Sequence, residues 1–218
     1  MSTSDRSQPK AASERAYEWV KNQILDGHLE GGQLLSEGEV ATALELSRTP
    51  VREAFLRLEV EGLLRLYPKR GALVVPVSAS EVAEVTEARI LLESHAAATV
   101  IARGDQAAVV RRMRATLGEQ RALDVPAETD AFSRLDRRFH ATLVEAAGNG
   151  LITQFYSGLH DRQVRMATSA LHRAPSRYSA ILTEHDTLCE LLLAGDAEGF
   201  RARLGVHIGG THGALLDS

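Results

Sequence analysis

The sequence is short of cysteine, proline and aromatic residues: it has one cysteine, six prolines and 5% aromatics. A lone Cys189 excludes an intrachain disulfide and fits a reducing compartment, so the chain reads as cytoplasmic and Cys189 as a small core residue. No run of about 18 apolar residues is present, so neither a membrane span nor a membrane partner is expected, and residues 1–12 lack the charged-then-apolar order of a signal peptide. Positive charge is not in excess either. At a net charge of -4 there is no global basic field, so any contact with nucleic acid must come from a local patch. The scarcity of aromatics, beside recurrent Ala, Leu, Arg and Glu, favours helix over strand.

What is present is ordinary globular material: 44% hydrophobic and 25% charged residues, with a mean hydropathy of -0.14, enough to bury a core. Met1 to Ala12, polar and without apolar periodicity, reads as a disordered leader. From Ser13, the residues Ala16, Tyr17, Val20 and Ile24 fall at helical spacing up to Asp26-Gly27. Ser36 with Glu39 forms a capping-box pattern ahead of Val40, Ala43 and Leu44. Ser47-Arg48-Thr49-Pro50 then places a cap and an early proline before Ala54, Phe55 and Leu58. Leu63 to Tyr67 and Ala72 to Val77, split by Pro68-Lys69-Arg70-Gly71, read as a β-hairpin with a basic tip. These elements make a winged helix-turn-helix over residues 13–77. Beyond it, breaks at Gly104-Asp105, Val125-Pro126, Gly148-Asn149, Ala174-Pro175 and Gly195-Asp196 divide residues 78–218 into six helices: about 80–103, 105–121, 128–147, 150–170, 176–194 and 197–215. The expected architecture is mainly α, an N-terminal winged helix-turn-helix followed by an antiparallel helical bundle.

Charge is divided unevenly within the first region. Residues 14–45 carry seven acidic and two basic side chains, whereas residues 48–70 carry Arg48, Arg52, Arg57, Arg65, Lys69 and Arg70 against three Glu. A recognition helix meets base edges with its N-terminal turns, where Arg48, Thr49 and Arg52 lie. Arginine offers guanine O6 and N7 two parallel donors, Ser47 and Thr49 suit phosphate or thymine, and Lys69 and Arg70 suit backbone or minor groove. A small helical hairpin with a solvated basic face is the bland alternative. Leu35-Ser36-Glu37, the run from Ser47 to Ala54, Leu58-Glu59, Glu61-Gly62-Leu63 and Arg70-Gly71 together resemble the winged-helix signature of the GntR family of bacterial regulators. The resemblance covers Ser13 to Val75. It implies a homodimer on a pseudo-palindromic double-stranded operator, with Ser36, Ser47, Arg48, Thr49, Arg52, Lys69, Arg70 and Gly71 as the DNA-binding set. Gly38 departs from the pattern, standing where some members carry a base-contacting long side chain.

In the second region Asp136 and His140, four residues apart on one helix, project from one face, and His185 and His207 lie in the last two helices. A bundle can bring one carboxylate and three imidazoles around a divalent ion, although Asp and His at this spacing also arise by chance. Asp136 through His140, Ala147-Gly148-Asn149, Glu184-His185, Gly195-Asp196 and His207 are similar to the FCD ligand-binding domain of FadR-like GntR regulators. That resemblance implies a metal held by Asp136, His140, His185 and His207, with Zn²⁺ preferred and Ni²⁺, Mn²⁺ or another first-row ion open. It also implies a small carboxylate effector. Arg89 is a candidate to hold that carboxylate, or else forms a surface pair with Glu93; Asn149 is a candidate donor to the effector, or else a helix cap. His95, His160, His172 and His212 have no such match and are expected to be structural or exposed.

The chain therefore reads as an effector-controlled transcription regulator, a repressor and not an enzyme, with no catalytic residues assigned. Two alternatives stay open: a regulator that senses the metal itself, and a zinc hydrolase, for which no general-base motif such as His-Glu-x-x-His is present.

Overall fold

The structure is a computed structural model in which residues 7–216 are described. The chain divides into two compact units, Met1–Val77 and Ser78–Ser218. In the first, α1 (Ser7–Leu25), α2 (Glu37–Leu44) and α3 (Arg48–Val60) accompany a small sheet of β1 (Leu34–Leu35), β2 (Leu64–Tyr67) and β3 (Gly71–Val74). The leader read over residues 1–12 is corrected in part, because Ser7–Ala12 belong to α1; residues 1–6 lie outside the described residues. The capping box forms as its residues require. Ser36 Oγ accepts from the Glu39 amide at 3.1 Å, and Glu39 Oε2 accepts from the Ser36 amide at 2.8 Å. Helix α3 buries Val51, Ala54, Phe55 and Leu58 at 0–1% exposure, an i, i+3, i+4, i+7 stripe that leaves Arg48, Thr49, Arg52 and Glu53 on the opposite face.

The hairpin of β2 and β3 pairs Leu64 with Val74 and Tyr67 with Gly71, and β1, two residues the sequence reading placed in no strand, adds to its other edge in the order β1-β3-β2. So short a strand has too few residues to show alternation. Gly71 has a local reason to be glycine: its φ is +94°, and a Cβ there would lie 2.5 Å from the Leu35 carbonyl oxygen.

The second unit is all helical: α4 (Ala79–Arg103), α5 (Gln106–Arg121), α6 (Thr129–Ala146), α7 (Gly150–Gly158), α8 (His160–Arg173), α9 (Arg177–Ala194) and α10 (Ala197–His212), then a 3₁₀ turn, Gly213–Leu215. One expected helix over 150–170 is two, broken at Leu159, whose amide turns back to the Tyr156 carbonyl at 3.1 Å. No proline marks the break; Gly158, the last residue of α7, is the one breaker there, and a lone glycine inside a helical pattern is a weak stop signal. Met113, Leu117, Phe139, Leu143, Leu188, Leu192, Phe200 and Leu204 fill the core at 0–1% exposure. A smaller cluster of Phe132, Leu171, Tyr178 and Ile181 packs Phe132 edge-on to Tyr178. No helix among the described residues is long and apolar enough to cross a membrane.

Candidate metal centre and nucleic-acid face

Polar side chains from three helices converge in the core of the second unit. Helix α6 delivers Asp136 and His140, α9 delivers His185 and α10 delivers His207, at 7%, 1%, 0% and 2% exposure. One ligand atom from each lies within 4.8 Å of all the others. His140 Nε2 is 3.1 Å from His207 Nε2, and His185 Nε2 is 3.2 Å from Asp136 Oδ1. Bond lengths of about 2.0–2.2 Å to a zinc-like ion, at roughly 90–110° between ligands, put neighbouring ligand atoms about 3 Å apart. The spacing found fits one ion.

The far side of each ring supplies the stronger test. His140 Nδ1 is 2.7 Å from Glu93 Oε2, His207 Nδ1 is 2.8 Å from Glu184 Oε2, and His185 Nδ1 is 3.1 Å from the Gln120 amide oxygen. An acceptor at every Nδ1 selects the tautomer that carries its proton there and turns each Nε2 lone pair inward, as metal-binding histidines require. Phe139 stacks on the His185 ring, with centroids 3.9 Å apart, and fixes its plane. Burial pushes His185 down to about 3 despite Asp136, and burial also lowers His207, so neither needs to shed a proton to bind an ion at neutral pH. Burial alone would raise Glu93 and Asp136. Arg89 and His140 outweigh it for Glu93, and His185, with His140 and His207 nearby, outweighs it for Asp136, so both stay ionised.

Glu93 is the hub of this arrangement. Its Oε1 accepts from Arg89 Nε at 2.8 Å and from the Tyr156 hydroxyl at 2.7 Å, while Oε2 faces His140. The Arg89–Glu93 pair therefore exists, but it is buried at 4% and 0% exposure rather than lying on the surface. Arg89 Nη2 remains buried without a hydrogen-bond partner. His212, expected to be structural or exposed, is buried; Thr86 holds its Nδ1 at 2.9 Å, and its Nε2 is likewise unpartnered. Thr86 and Arg89 lie one turn apart on α4, so the two spare groups share a neighbourhood. Asn149 does not join the cluster. It is exposed, and its Oδ1 caps α7 by accepting from the amides of Leu151 and Ile152 at 3.1 and 3.2 Å, the helix-cap alternative of its sequence reading.

Sequence reasoning assigned no role here to Gln120, Tyr156, Glu184 or His212. Glu184 had a signal in its place next to His185; Gln120 and Tyr156 had none, because their partners are distant in sequence.

In the first unit Ser47, Arg48, Thr49, Arg52, Lys69 and Arg70 are all exposed. Among the described residues the side chains of Arg48, Arg52, Lys69 and Arg70 form no hydrogen bond or ion pair, so their donors are free. Arg57 differs: it lies 3.5 Å from the Tyr17 ring centroid and 2.8 Å from Glu14, which makes it a structural cation. Ser36 is committed to its capping box and Gly71 to the backbone contact with β1, so both shape the face more directly than they extend from it.

A winged helix with a free cationic edge, followed by a helical unit enclosing an Asp-His₃ group, fits a DNA-binding regulator with a second, all-helical domain. The models of two families match in that order: bacterial regulatory proteins, gntR family, over residues 12–74, and the FCD domain over residues 84–210. The chain belongs to the GntR family of transcriptional regulators, in the group that carries an FCD domain. It is 31% identical over 144 residues to the gluconate operon transcriptional repressor of Bacillus subtilis (strain 168), covering 66% of this chain and 58% of the relative. A helix-turn-helix regulator in an unstable DNA locus of Streptomyces ambofaciens is 29% identical over 189 residues, 87% of this chain and 78% of the relative. A GntR regulator of Rhodococcus sp. RHA1 shares the fold with a TM-score of 0.74 at 22% identity, over 95% of this chain and 99% of that one. Both families and these relatives are transcriptional regulators, which sets the hydrolase alternative aside.

Proposed function

We propose that this regulator is a homodimeric repressor whose operator binding is set by a small carboxylate bound at a divalent ion, Zn²⁺ before Ni²⁺ or Mn²⁺, held by Asp136, His140, His185 and His207. The observation that carries the reading is the outer ring of Glu93, Glu184 and Gln120, one acceptor behind each imidazole. A hydrogen-bonded core without an ion would have no need to aim three Nε2 lone pairs at one point. The ion, when bound, supplies a Lewis-acidic centre for a carboxylate oxygen. Arg89 Nη2 and His212 Nε2, buried and unpartnered, are the protein groups positioned to hydrogen-bond the remainder of such a ligand. The likeness to a gluconate operon repressor supports both the repressor and the organic-acid parts of this reading.

On the DNA side, Arg48, Thr49 and Arg52 meet base edges, Ser47 takes phosphate, and Lys69 and Arg70 grip the backbone or minor groove. The DNA-binding unit spans residues 13–77 and the sensor residues 78–218. Effector binding shifts α4, whose cap is Ser78, and so changes the spacing of the two α3 helices in the dimer. The effector releases DNA only if it binds the non-binding arrangement more tightly, since equal affinity for both states shifts nothing. Measuring operator affinity against added Zn²⁺, with and without a panel of hydroxycarboxylates, tests the reading. Release that needs both ion and acid supports it; release by the ion alone replaces it with direct metal sensing.

A further inference from the structure

Gly38 lies in the first turn of α2 with no backbone reason to be glycine. It is absent from the positive-φ glycines, and within a helix glycine is disfavoured relative to alanine. Its surroundings explain it better. A Cβ built there would lie 3.4 Å from Arg48 Nη2, 3.8 Å from Arg48 Cζ and 3.8 Å from Ser36 Oγ. The guanidinium of Arg48 thus lies over the first turn of α2, against the space that a side chain at position 38 would enter. Nothing else tethers it: Arg48 is exposed and forms no hydrogen bond or ion pair among the described residues. A Cβ at Gly38 would be in van der Waals contact with this guanidinium, so a longer side chain there would compete with Arg48 for the same space.

We infer that Gly38 and Arg48 act as one specificity unit, in which the missing side chain of α2 lets the first residue of α3 read a guanine that a residue at position 38 would otherwise reach or block. Arginine suits that task because its two parallel donors match guanine O6 and N7, and the planar group keeps its aim only if its approach is unobstructed. The inference rests on the reading of α3 as the base-contacting helix given above.

The test is selection of bound duplexes from a randomised-sequence library by the full-length protein and by Arg48→Ala, Gly38→Gln, Gly38→Ala and the double variant Gly38→Gln/Arg48→Ala, with thermal melting to verify folding. The wild type is expected to select a guanine at one position in each half-site. Arg48→Ala should lose that preference at least tenfold, and Gly38→Gln should lose or change it at the same position. Gly38→Ala should weaken it less, and the double variant should be no worse there than Arg48→Ala alone. Retention of the guanine preference in Gly38→Gln, or a change at a different position from the one lost in Arg48→Ala, overturns the coupling while leaving α3 as the reading helix. Unchanged selection by Arg48→Ala overturns both the coupling and the assignment of Arg48 as a base reader. Should Gly38→Gln melt unfolded, the graded loss in Gly38→Ala decides the matter, and no loss at that position counts against the coupling.

Discussion

The two units handle their polar side chains in opposite ways. In the first, Arg48, Arg52, Lys69 and Arg70 stand in solvent without partners. In the second, Asp136, His140, His185, His207, Glu93 and Arg89 are buried and tied to one another. An exposed donor costs nothing to leave unpaired because water satisfies it, so such groups can wait for DNA. A buried one must be satisfied inside the protein or by something that enters, since an orphaned polar group costs about 1–3 kcal/mol and an unpaired charge more. The surface set is therefore built for a partner that arrives and leaves. The buried set is satisfied largely within the fold, and among the described residues nothing pairs Arg89 Nη2 or His212 Nε2.

Substitutions should separate the two behaviours. The largest effect is expected from Glu93→Gln, which removes the countercharge of Arg89 and leaves one amide oxygen where two carboxylate oxygens serve Arg89, Tyr156 and His140. Denaturant unfolding should show a loss of about 3–5 kcal/mol, and metal affinity should fall roughly 10- to 100-fold. A loss below about 1 kcal/mol, the scale of an exposed ion pair, would place Glu93 with the surface groups and break the contrast. Chelation comes next: a ligand at a thousandfold excess over its Kd contributes about 4 kcal/mol, so removing the ion should lower Tm by about 10 °C at roughly 2–4 °C per kcal/mol. A melting curve that chelator leaves in place would show the imidazoles to be self-sufficient.

Smaller effects test the exposed side. Arg48→Ala and Arg52→Ala should each cost about 1–3 kcal/mol of operator discrimination while changing stability by less than about 0.5 kcal/mol. Parallel footprinting and thermal melting read the two quantities apart, and a stability loss as large as the binding loss would mean these arginines hold the fold. Asn149→Ala should be the mildest: about 1 kcal/mol of stability from the lost cap, with carboxylate binding to the metal-loaded protein unchanged. If calorimetry shows weaker carboxylate binding instead, Asn149 returns to the effector site.

This contrast also explains what could be read from the sequence. Helix-turn-helix elements are local, so the Ser36–Glu39 box, the start of α3 at Ser47 and the α3 stripe were legible from spacing alone, although the Ser47 side chain makes no capping bond, and Arg48 and Arg52 followed from the stripe. Asp136 and His140 were legible for the same reason, as a pair four residues apart. The joining of His185 and His207 to them was legible only through family resemblance, because helical packing between residues up to 71 positions apart leaves no periodic trace. The outer ring was harder still: Gln120 is a common polar residue on an amphipathic helix, and only coordinates show that it lies behind His185. The strand β1 and the break at Leu159 were missed because two residues cannot alternate and the lone Gly158 is a weak stop signal.

Elemental analysis of the purified full-length protein and of His185→Ala/His207→Ala, both shown folded by circular dichroism, reaches the centre of this account most directly. One divalent ion per chain in the wild type and none in the double variant is the predicted result. Equal metal content in the two proteins would contradict it.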